Sequence, residues 1–165
     1  MEILEVKSIE RYLTGLTELL VKVVDEGASI GFLPPLGKSG AAAYWSGVKQ
    51  SDEAILFAAL IDDKVVGTVQ LHLCTKPNGS HRAEIAKLMT DRTIRRKGLG
   101  RLLMKTAEER AQKENRRLLV LDTREGDPSN HLYQSMGYTA AGKIPNFAQS
   151  SNGQLDATIF YYKNI

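Results

Sequence analysis

The sequence predicts an α/β fold in which a central mixed sheet of about seven strands carries helices on both faces. Three strand patterns follow one another across residues 53–90 and are joined by short turns, which is typical of an antiparallel meander. An amphipathic helix then leads to a buried apolar strand, as in a crossover to a parallel neighbour. Helix patterns before and after the meander can cover both faces of the sheet. The predicted order is β-α-α-β-β-β-α-β-α-β-β.

The first 50 residues predict a short strand and two helices. Residues 2–6 alternate in polarity, and Ser8 can cap a helix that runs to about Asp25. The apolar residues of this helix recur at spacings of three and four: Ile9, Tyr12, Leu13, Leu16, Leu19, Leu20 and Val23. Residues 27–40 form a loop rich in glycine and proline, and a short helix follows from about Ser39 to Val48.

The meander consists of a hairpin and a third strand. Residues 53–61 and 64–74 are apolar runs separated by Asp62-Asp63, which predicts the hairpin turn. Pro77, Asn78 and Gly79 predict a second turn, and residues 82–90 form the third strand.

The second half predicts two helices and three strands. One helix covers about 98–115, with an apolar face that includes Leu99, Leu103 and Ala107, and residues 117–122 form a buried strand. Pro128 suits the first turn of a helix that runs through Met136. Strands at about 138–144 and 155–163 end the chain and are joined by a polar loop.

Size and composition predict a single domain, residues 1–165. The chain is 42% hydrophobic and 25% charged, as in an ordinary globular protein. Its one cysteine, Cys74, excludes an intrachain disulfide, and we find neither a signal peptide nor an apolar run of about 20 residues. We therefore expect a cytoplasmic protein with no membrane partner. The net charge of +3 is too small to favour nucleic-acid binding, and no set of metal ligands is evident.

A basic, glycine-containing turn lies between the strand ending at Thr90 and the helix starting near Gly98. The first N–H groups of a helix are unpaired and carry partial positive charge, so phosphate binds there readily. Gly98 and Gly100 would let the backbone approach a pyrophosphate. The cationic side chains of this turn are Arg95, Arg96, Lys97 and Arg101. On the residues alone, a solvated basic turn that merely caps a helix remains an alternative.

Two motifs carry a resemblance to a known family. Arg95-x-x-Gly98-x-Gly100, after a strand and before an amphipathic helix, resembles motif A of the GNAT superfamily of N-acetyltransferases. Residues 83–90 look like that family's fourth strand. Downstream, residues 132–138 (Leu-Tyr-Gln-Ser-Met-Gly-Tyr) look like its motif B. The resemblance covers roughly residues 50–163 and implies a GNAT-like fold and an acyltransferase that uses acetyl-CoA.

The resemblance also implies where the cofactor binds. The fourth and fifth strands would splay apart and admit the pantetheine arm of coenzyme A, held by the backbone of Leu88, Met89 and Thr90. The pyrophosphate would lie at the basic turn: Arg95, Arg96, Lys97, Gly98, Gly100 and Arg101. Many relatives have Asn near the start of the motif B helix, where this chain has Gly126. Ser129 or Asn130, or else Asp127, would supply that polar contact.

Two side chains are candidates for the chemistry that the resemblance implies. Tyr133, in motif B, would donate a proton to the thiolate leaving group; the alternative is a tyrosine that only packs under the sheet. Glu84 would act as the base, through a water, and alternation along the strand places Ala86 and Leu88 on its side. The alternative for Glu84 is an ordinary solvated carboxylate. Asp122, at the end of the fifth strand, is the second choice, and a backbone N–H near Met89 would stabilise the oxyanion.

The acceptor is implied only as a class, the primary amine of a small molecule or peptide. Phe32, Leu33, Tyr44 and Trp45 lie where relatives form one wall of the acceptor site, and residues 144–152 would form the other. Trp45 has the alternative of packing on the sheet. A non-catalytic CoA-binding sensor is the alternative function. Members of the family commonly dimerise through their last strands, so the resemblance also implies a homodimer.

Overall fold

The computed structural model describes residues 1–49, 53–94 and 96–165 and contains one seven-stranded sheet. The strand order is β1-β2-β3-β4-β5-β7-β6. Among the described residues only the β4–β5 contact is parallel, and every other pair of neighbours runs antiparallel. The predicted mixed sheet and the predicted order of elements are therefore confirmed.

The elements have the following bounds. The strands are β1 (Glu2–Glu5), β2 (Ala54–Ile61), β3 (Lys64–Leu73), β4 (Arg82–Thr90), β5 (Leu118–Arg124), β6 (Thr139–Gln149) and β7 (Leu155–Asn164). The helices are α1 (Ile9–Asp25), α2 (Lys38–Lys49), α3 (Leu99–Lys113) and α4 (Ser129–Ser135).

Helices cover both faces of the sheet, as predicted, and each face has its own core. On one face α1 and α2 pack around the completely buried Leu16, Leu20 and Trp45. On the other face α3 and α4 pack around Leu103, Met104 and Tyr133. The two cores meet through alternating residues of the central strands, because successive side chains of a strand point to opposite faces.

Two strands extend further than the sequence predicts. The polar stretch after Ile144 was predicted as a loop, but β6 continues to Gln149, where it pairs with Leu155 of β7. Pro145 and Asn146 lie in a bulge between Ile144 and Ala148, a position where an edge strand tolerates proline. β5 continues past Asp122 to Arg124, since β7 supplies a partner along its whole length.

β4 and β5 form a fork. They pair only at Arg82–Leu118, Ala83–Leu119 and Glu84–Val120, and beyond these pairs they separate. β4 then continues to Thr90 against β3, and β5 continues to Arg124 against β7. The splayed strands implied by the resemblance are therefore present, and we use "fork" below for the gap beyond the Glu84–Val120 pair.

Candidate active site

Within the described part of the chain, the fork contains strand edges that have no strand partner. Beyond Glu84, β4 bonds to β3 on one side only, and beyond Val120, β5 bonds to β7 on one side only. An open strand edge offers N–H and C=O groups that an extended chain with amides can pair with. Leu88, Met89 and Thr90, which were predicted to hold such a chain, all lie on the β4 arm of the fork.

The basic turn lies at the end of the β4 arm. Arg96, Lys97, Gly98 and Arg101 are exposed, whereas Arg95 lies outside the residues that the structure describes. The first bond into α3 runs from the N–H of Leu102 to the carbonyl of Gly98 (3.0 Å). By helix geometry the N–H groups of Gly100 and Arg101 have no partner within the helix, so the turn combines free donors with cationic side chains.

The two glycines of the turn are required for different reasons. Gly98 has φ +80°, which an L side chain rarely adopts, although a Cβ there would meet nothing within 4 Å. Gly100 lies against α4, and a Cβ there would come within 3.3 Å of Leu132. Gly98 thus shapes the turn, and Gly100 allows α3 and α4 to pack closely. The side chain of Arg101 donates to Ser135 of α4 (2.7 Å), which reinforces that contact.

Glu84 is exposed and lies at the base of the fork, in the last pair between β4 and β5. Our expectation that Leu88 shares its side is wrong. β4 bulges between Ala86 and Met89, with Lys87 at φ +51°, and Leu88 packs in the core under α3, with Ile85. The extra residue reverses the alternation, so beyond the bulge Met89, rather than Leu88, faces α1 and α2.

Lys87 is a residue of the site that sequence reasoning missed. Its Nζ donates to the carbonyl of Ile30 in the α1–α2 loop (2.7 Å) and lies 5.9 Å from the ring centroid of Phe32. Burial lowers the pKa of Lys87, although the charges of Glu84 and Asp122 oppose that shift. A lysine between the apolar residues Ala86 and Leu88 was the available signal.

Tyr133 is buried, with 6% of its surface exposed, and its ring packs against Tyr138 and Tyr161. Burial raises the pKa of Tyr133 strongly, and the nearby charges of Asp122 and Asp127 raise it further. The phenol therefore stays protonated across the physiological range. It can donate a hydrogen bond or a proton, and it cannot act as a base.

Ser129 and Asn130 lie at the start of α4, but both side chains have partners within the protein. The Asn130 amide donates to the carbonyls of Arg124 (2.9 Å) and Asp127 (2.8 Å), and its oxygen accepts from the Tyr161 hydroxyl (2.8 Å). The hydroxyl of Ser129 pairs with that of Thr123 (2.6 Å). A role for either residue in holding a cofactor stays a prediction.

One of the residues suggested for the acceptor wall belongs to the core. Trp45 is completely buried and donates to the carbonyl of Leu16 (2.9 Å), so it packs on the sheet. Tyr44 and Phe32 are half-buried and pack edge to face with centroids 5.1 Å apart, and Leu33 is 46% exposed. These three residues remain available to an acceptor.

A buried polar chain connects this wall to the sheet. Gln70 of β3 is completely buried; its amide donates to the hydroxyl of Tyr44 (2.9 Å), and its oxygen lies 2.7 Å from Nε2 of His72. His72 in turn stands opposite Glu84 in the β3–β4 register. His72 is not paired with Cys74, whose sulfur lies 3.5 Å from the Arg82 guanidinium.

Asp122, the second choice for the base, accepts a hydrogen bond from Thr158 of β7 (2.7 Å). It is exposed on the β5 arm of the fork. Across residues 1–49, 53–94 and 96–165, no helix is long and apolar enough to cross a membrane. The same residues contain no cluster of three or more His, Cys, Asp or Glu side chains that could hold a metal ion.

Comparison with known proteins assigns the family. The sequence model of the Acetyltransferase (GNAT) family matches residues 24–138. An uncharacterised N-acetyltransferase of Azospirillum brasilense is 35% identical over 107 residues, a match that spans 62% of each chain. A ribosomal-protein-alanine N-acetyltransferase of Brucella melitensis superposes with a TM-score of 0.84 at 18% identity, with all of both chains covered. A Salmonella typhimurium protein solved with its cofactor acetyl-CoA superposes at 0.79, with 15% identity over 99% of this chain and 94% of that one. The family model covers more than half of the chain, and the fork and the basic turn agree with it, so this chain belongs to the Acetyltransferase (GNAT) family.

Proposed function

We propose that this enzyme uses acetyl-CoA as donor and transfers the acetyl group directly to a primary amine of a small molecule or peptide. The observation that carries the proposal is the fork, which opens beside a basic helix N-terminus. One end of this cleft offers phosphate-binding groups, the middle offers open strand edges, and the base carries titratable side chains. This order matches the order of pyrophosphate, pantetheine and thioester along acetyl-CoA.

The basic turn would hold the pyrophosphate. The N–H groups of Gly100 and Arg101 precede the first bond of α3, and the exposed side chains of Arg96 and Lys97 add full charges. The left-handed conformation of Gly98 shapes this turn.

The fork would hold the pantetheine arm. That arm is an extended chain with two amides, and the unpaired edge of Leu88, Met89 and Thr90 offers the N–H and C=O groups that such a chain can pair with. Acetyl-CoA supplies an activated acyl carbonyl, and a backbone N–H near Met89 would donate to its oxygen.

The side chains at the fork would carry the proton transfers. An amine has a pKa of about 10, so the acceptor arrives as an ammonium ion and must lose a proton before it attacks. Glu84, exposed at the base of the fork, would attract that cation and take its proton through a water. Tyr133, protonated because burial raises its pKa, would donate to the sulfur that leaves.

Two measurements test the donor and the reaction. Calorimetry with acetyl-CoA and with CoA should show saturable binding of both. A screen of amines monitored by thiol release should then find an acceptor that accelerates release above the rate of hydrolysis. Absence of heat with both ligands at millimolar concentration would contradict the proposal.

Gly98→Glu tests the pyrophosphate site. We expect this change to abolish acetyl-CoA binding, because it places a carboxylate where phosphate should lie. Gly153→Glu is the matched control: Gly153 has φ +85° and open space around its Cα, as Gly98 does, but it lies in the β6–β7 turn. Both variants carry the same backbone strain, so calorimetry on the two isolates the effect at the turn. Normal affinity in Gly98→Glu would remove the pyrophosphate from this site.

A non-catalytic CoA sensor is the second candidate, and one observation favours it. Gly126 stands where many relatives have an asparagine, and the nearby Asn130 is occupied by its own bonds to Arg124, Asp127 and Tyr161. The cofactor arm would then lack a usual contact. Binding of CoA without thiol release in any amine would support the sensor.

A homodimer through β6 is also part of the proposal. β6 is an edge strand, and all eleven of its residues are exposed, including the apolar Ile144 and Phe147. A long exposed edge strand with apolar side chains is a surface that another chain can cover. Sedimentation should show a dimer in the wild type and a monomer in Ile144→Glu, with the exposed Lys105→Glu as control. A monomeric wild type would contradict this arrangement.

A further inference from the structure

We propose that His72 completes a proton relay at the fork by accepting the proton that Glu84 takes from the acceptor ammonium. In this relay, Gln70 fixes the tautomer of the His72 ring and so decides which ring nitrogen accepts the proton. The inference rests on the proposed function and adds two residues to it. In the relay an N–H bond of the ammonium breaks, the amine keeps the electron pair, and the proton passes through Glu84 to the imidazole. The imidazolium then loses the proton to solvent.

The first support is position. His72 and Glu84 are directly opposite each other in the β3–β4 register, so their Cβ atoms lie about 4.5–5.5 Å apart on the same face of the sheet. Glu84 is also in the last pair before the fork opens. His72 is half-buried and lies on β3, so it stands one strand away from Glu84 on the side opposite the fork.

The second support is the tautomer. Gln70 is completely buried, so both ends of its amide need partners. Its Nε2 donates to Tyr44, which leaves its oxygen to accept from Nε2–H of His72 (2.7 Å). A neutral imidazole with hydrogen on Nε2 has its lone pair on Nδ1. Gln70 is therefore a positioning residue that keeps Nδ1 unprotonated and ready to accept.

The third support is the charge environment. Burial lowers the pKa of His72, the Glu84 charge opposes that shift, and Lys87 adds to it. On β2 the residue opposite His72 is the uncharged Ala54. His72 is therefore neutral at physiological pH, and Glu84 would stabilise the imidazolium when it forms.

The acid–base match gives the relay its advantage. A carboxylate has an ordinary pKa of about 4.3 and an imidazole about 6.5, against about 10 for the amine. A base with a pKa nearer to that of the amine holds the abstracted proton more firmly. Glu84 therefore passes the proton to a group that ordinarily holds it more firmly, and the Glu84 charge opposes the lowering of the His72 pKa.

The remaining charges near this site have other partners. Lys87 donates to the carbonyl of Ile30, and the carboxylate of Glu53 accepts from Thr75 (3.4 Å). Asp122 interacts with Lys87 and accepts from Thr158. Glu84 is thus the carboxylate that faces His72 among the described residues.

A pH–rate profile tests the relay. The probe is whichever of spermidine, tyramine and an alanine-terminated peptide releases thiol with the wild type. We expect His72→Gln, which keeps an amide donor for Gln70, to lower kcat/KM for the amine about tenfold or more. In the wild type, His72 should set the acidic limb of the pH–rate profile below pH 6.5. In His72→Gln this limb should move toward the pH range in which a carboxylate titrates, while the affinity for acetyl-CoA stays unchanged. His81→Gln is the matched control, since His81 lies just before β4. Its backbone carbonyl accepts hydrogen bonds from the N–H groups of Arg117 and Leu118.

Nitrogen NMR of the histidine rings gives an independent readout without an acceptor. His72 should show the Nε2–H tautomer and a pKa below 6.5, and Glu84→Gln should lower that pKa further. An Nδ1–H tautomer, or an unchanged pH limb in His72→Gln, would overturn the relay. If no probe releases thiol, the proposed function fails. If the wild type turns over and its pH–rate profile has the same acidic limb as that of His72→Gln, only the relay is contradicted and the proposed function stands.

Discussion

At the scale of single residues, the chemistry proposed for the fork depends on side chains whose protonation is set by their neighbours. Tyr133 is kept neutral by burial and by two nearby carboxylates. Lys87 is partly buried, and its ammonium donates a hydrogen bond to the carbonyl of Ile30 in the α1–α2 loop. The left-handed backbone of Lys87 creates the bulge of β4, so one residue shapes the strand and anchors the loop that faces it.

Tyr133→Phe tests the proposed acid. We expect kcat to fall about 100-fold, because the leaving sulfur loses its donor, while acetyl-CoA affinity stays near that of the wild type. Steady-state thiol release and calorimetry measure the two quantities. Tyr162→Phe is the control, since Tyr162 lies on β7 and is 37% exposed. Unchanged turnover in Tyr133→Phe would remove the tyrosine from the mechanism.

At the scale of elements, α1 is tied to the segment that follows β4. Lys22 in the last turn of α1 bonds both carboxylate oxygens of Asp91 (2.8 and 2.9 Å), and the N–H of Thr93 donates to the same carboxylate (2.9 Å). Arg92 adds a bond to the carbonyl of Glu26 (3.0 Å). The basic turn and the start of the α1–α2 loop are therefore held to the same helix end.

Asp91→Asn tests this connection through its pH dependence. Burial tends to raise the pKa of Asp91, but bonds from Lys22 and Thr93 lower it below its ordinary value. Its contribution to stability is therefore present above the unfolded pKa of about 3.9 and is lost as pH falls through the lowered folded pKa.

We expect Asp91→Asn to lower the free energy of unfolding at pH 7 by about 1 kcal/mol, since Lys22 is partly in solvent. The deficit should shrink at pH 3. Urea unfolding followed by circular dichroism measures both values. The exposed Glu109→Gln serves as control for loss of one carboxylate. A deficit of equal size at both pH values would show that the ion pair contributes nothing.

At the scale of the whole molecule, one arginine joins three loops around the fork. Arg124, at the end of β5, donates to Asp127 (3.0 Å), to the hydroxyl of Ser150 (2.9 Å) and to the carbonyl of Gly27 (3.2 Å). These partners belong to the β5–α4 loop, the β6–β7 turn and the α1–α2 loop. The planar guanidinium can bond in several directions at once, which an ammonium on a flexible chain cannot reproduce.

Arg124→Lys tests whether these loops form the acceptor site. Loosening them should raise KM for the amine by about tenfold with little change in kcat, the pattern of lost ground-state binding. KM for acetyl-CoA should stay unchanged. The exposed Arg117→Lys, just before β5, is the matched control. An equal rise in both KM values would place the effect in the fold rather than in the acceptor site.

The local patterns of the sequence predicted most of this fold. Periodic apolar residues, caps and turns are properties of neighbouring residues, and they located four helices and seven strands to within a few residues. The two exceptions have long-range causes. Pro145 and Asn146 signal a break, but pairing with β7 converts it into a bulge, and β5 is extended by the same partner.

By itself the sequence determined the mixed sheet, the order of elements along the chain, the basic turn and, through its two motifs, the resemblance to the family. Only the tertiary structure decided which side chains meet. The β4 bulge moves Leu88 to the face opposite Glu84, and the β3–β4 register places His72 beside Glu84. The buried Gln70 connects that histidine to Tyr44, which lies 26 residues earlier in the sequence. The physical reason is that strand register, bulges and buried hydrogen bonds depend on residues distant in sequence, which no local pattern specifies.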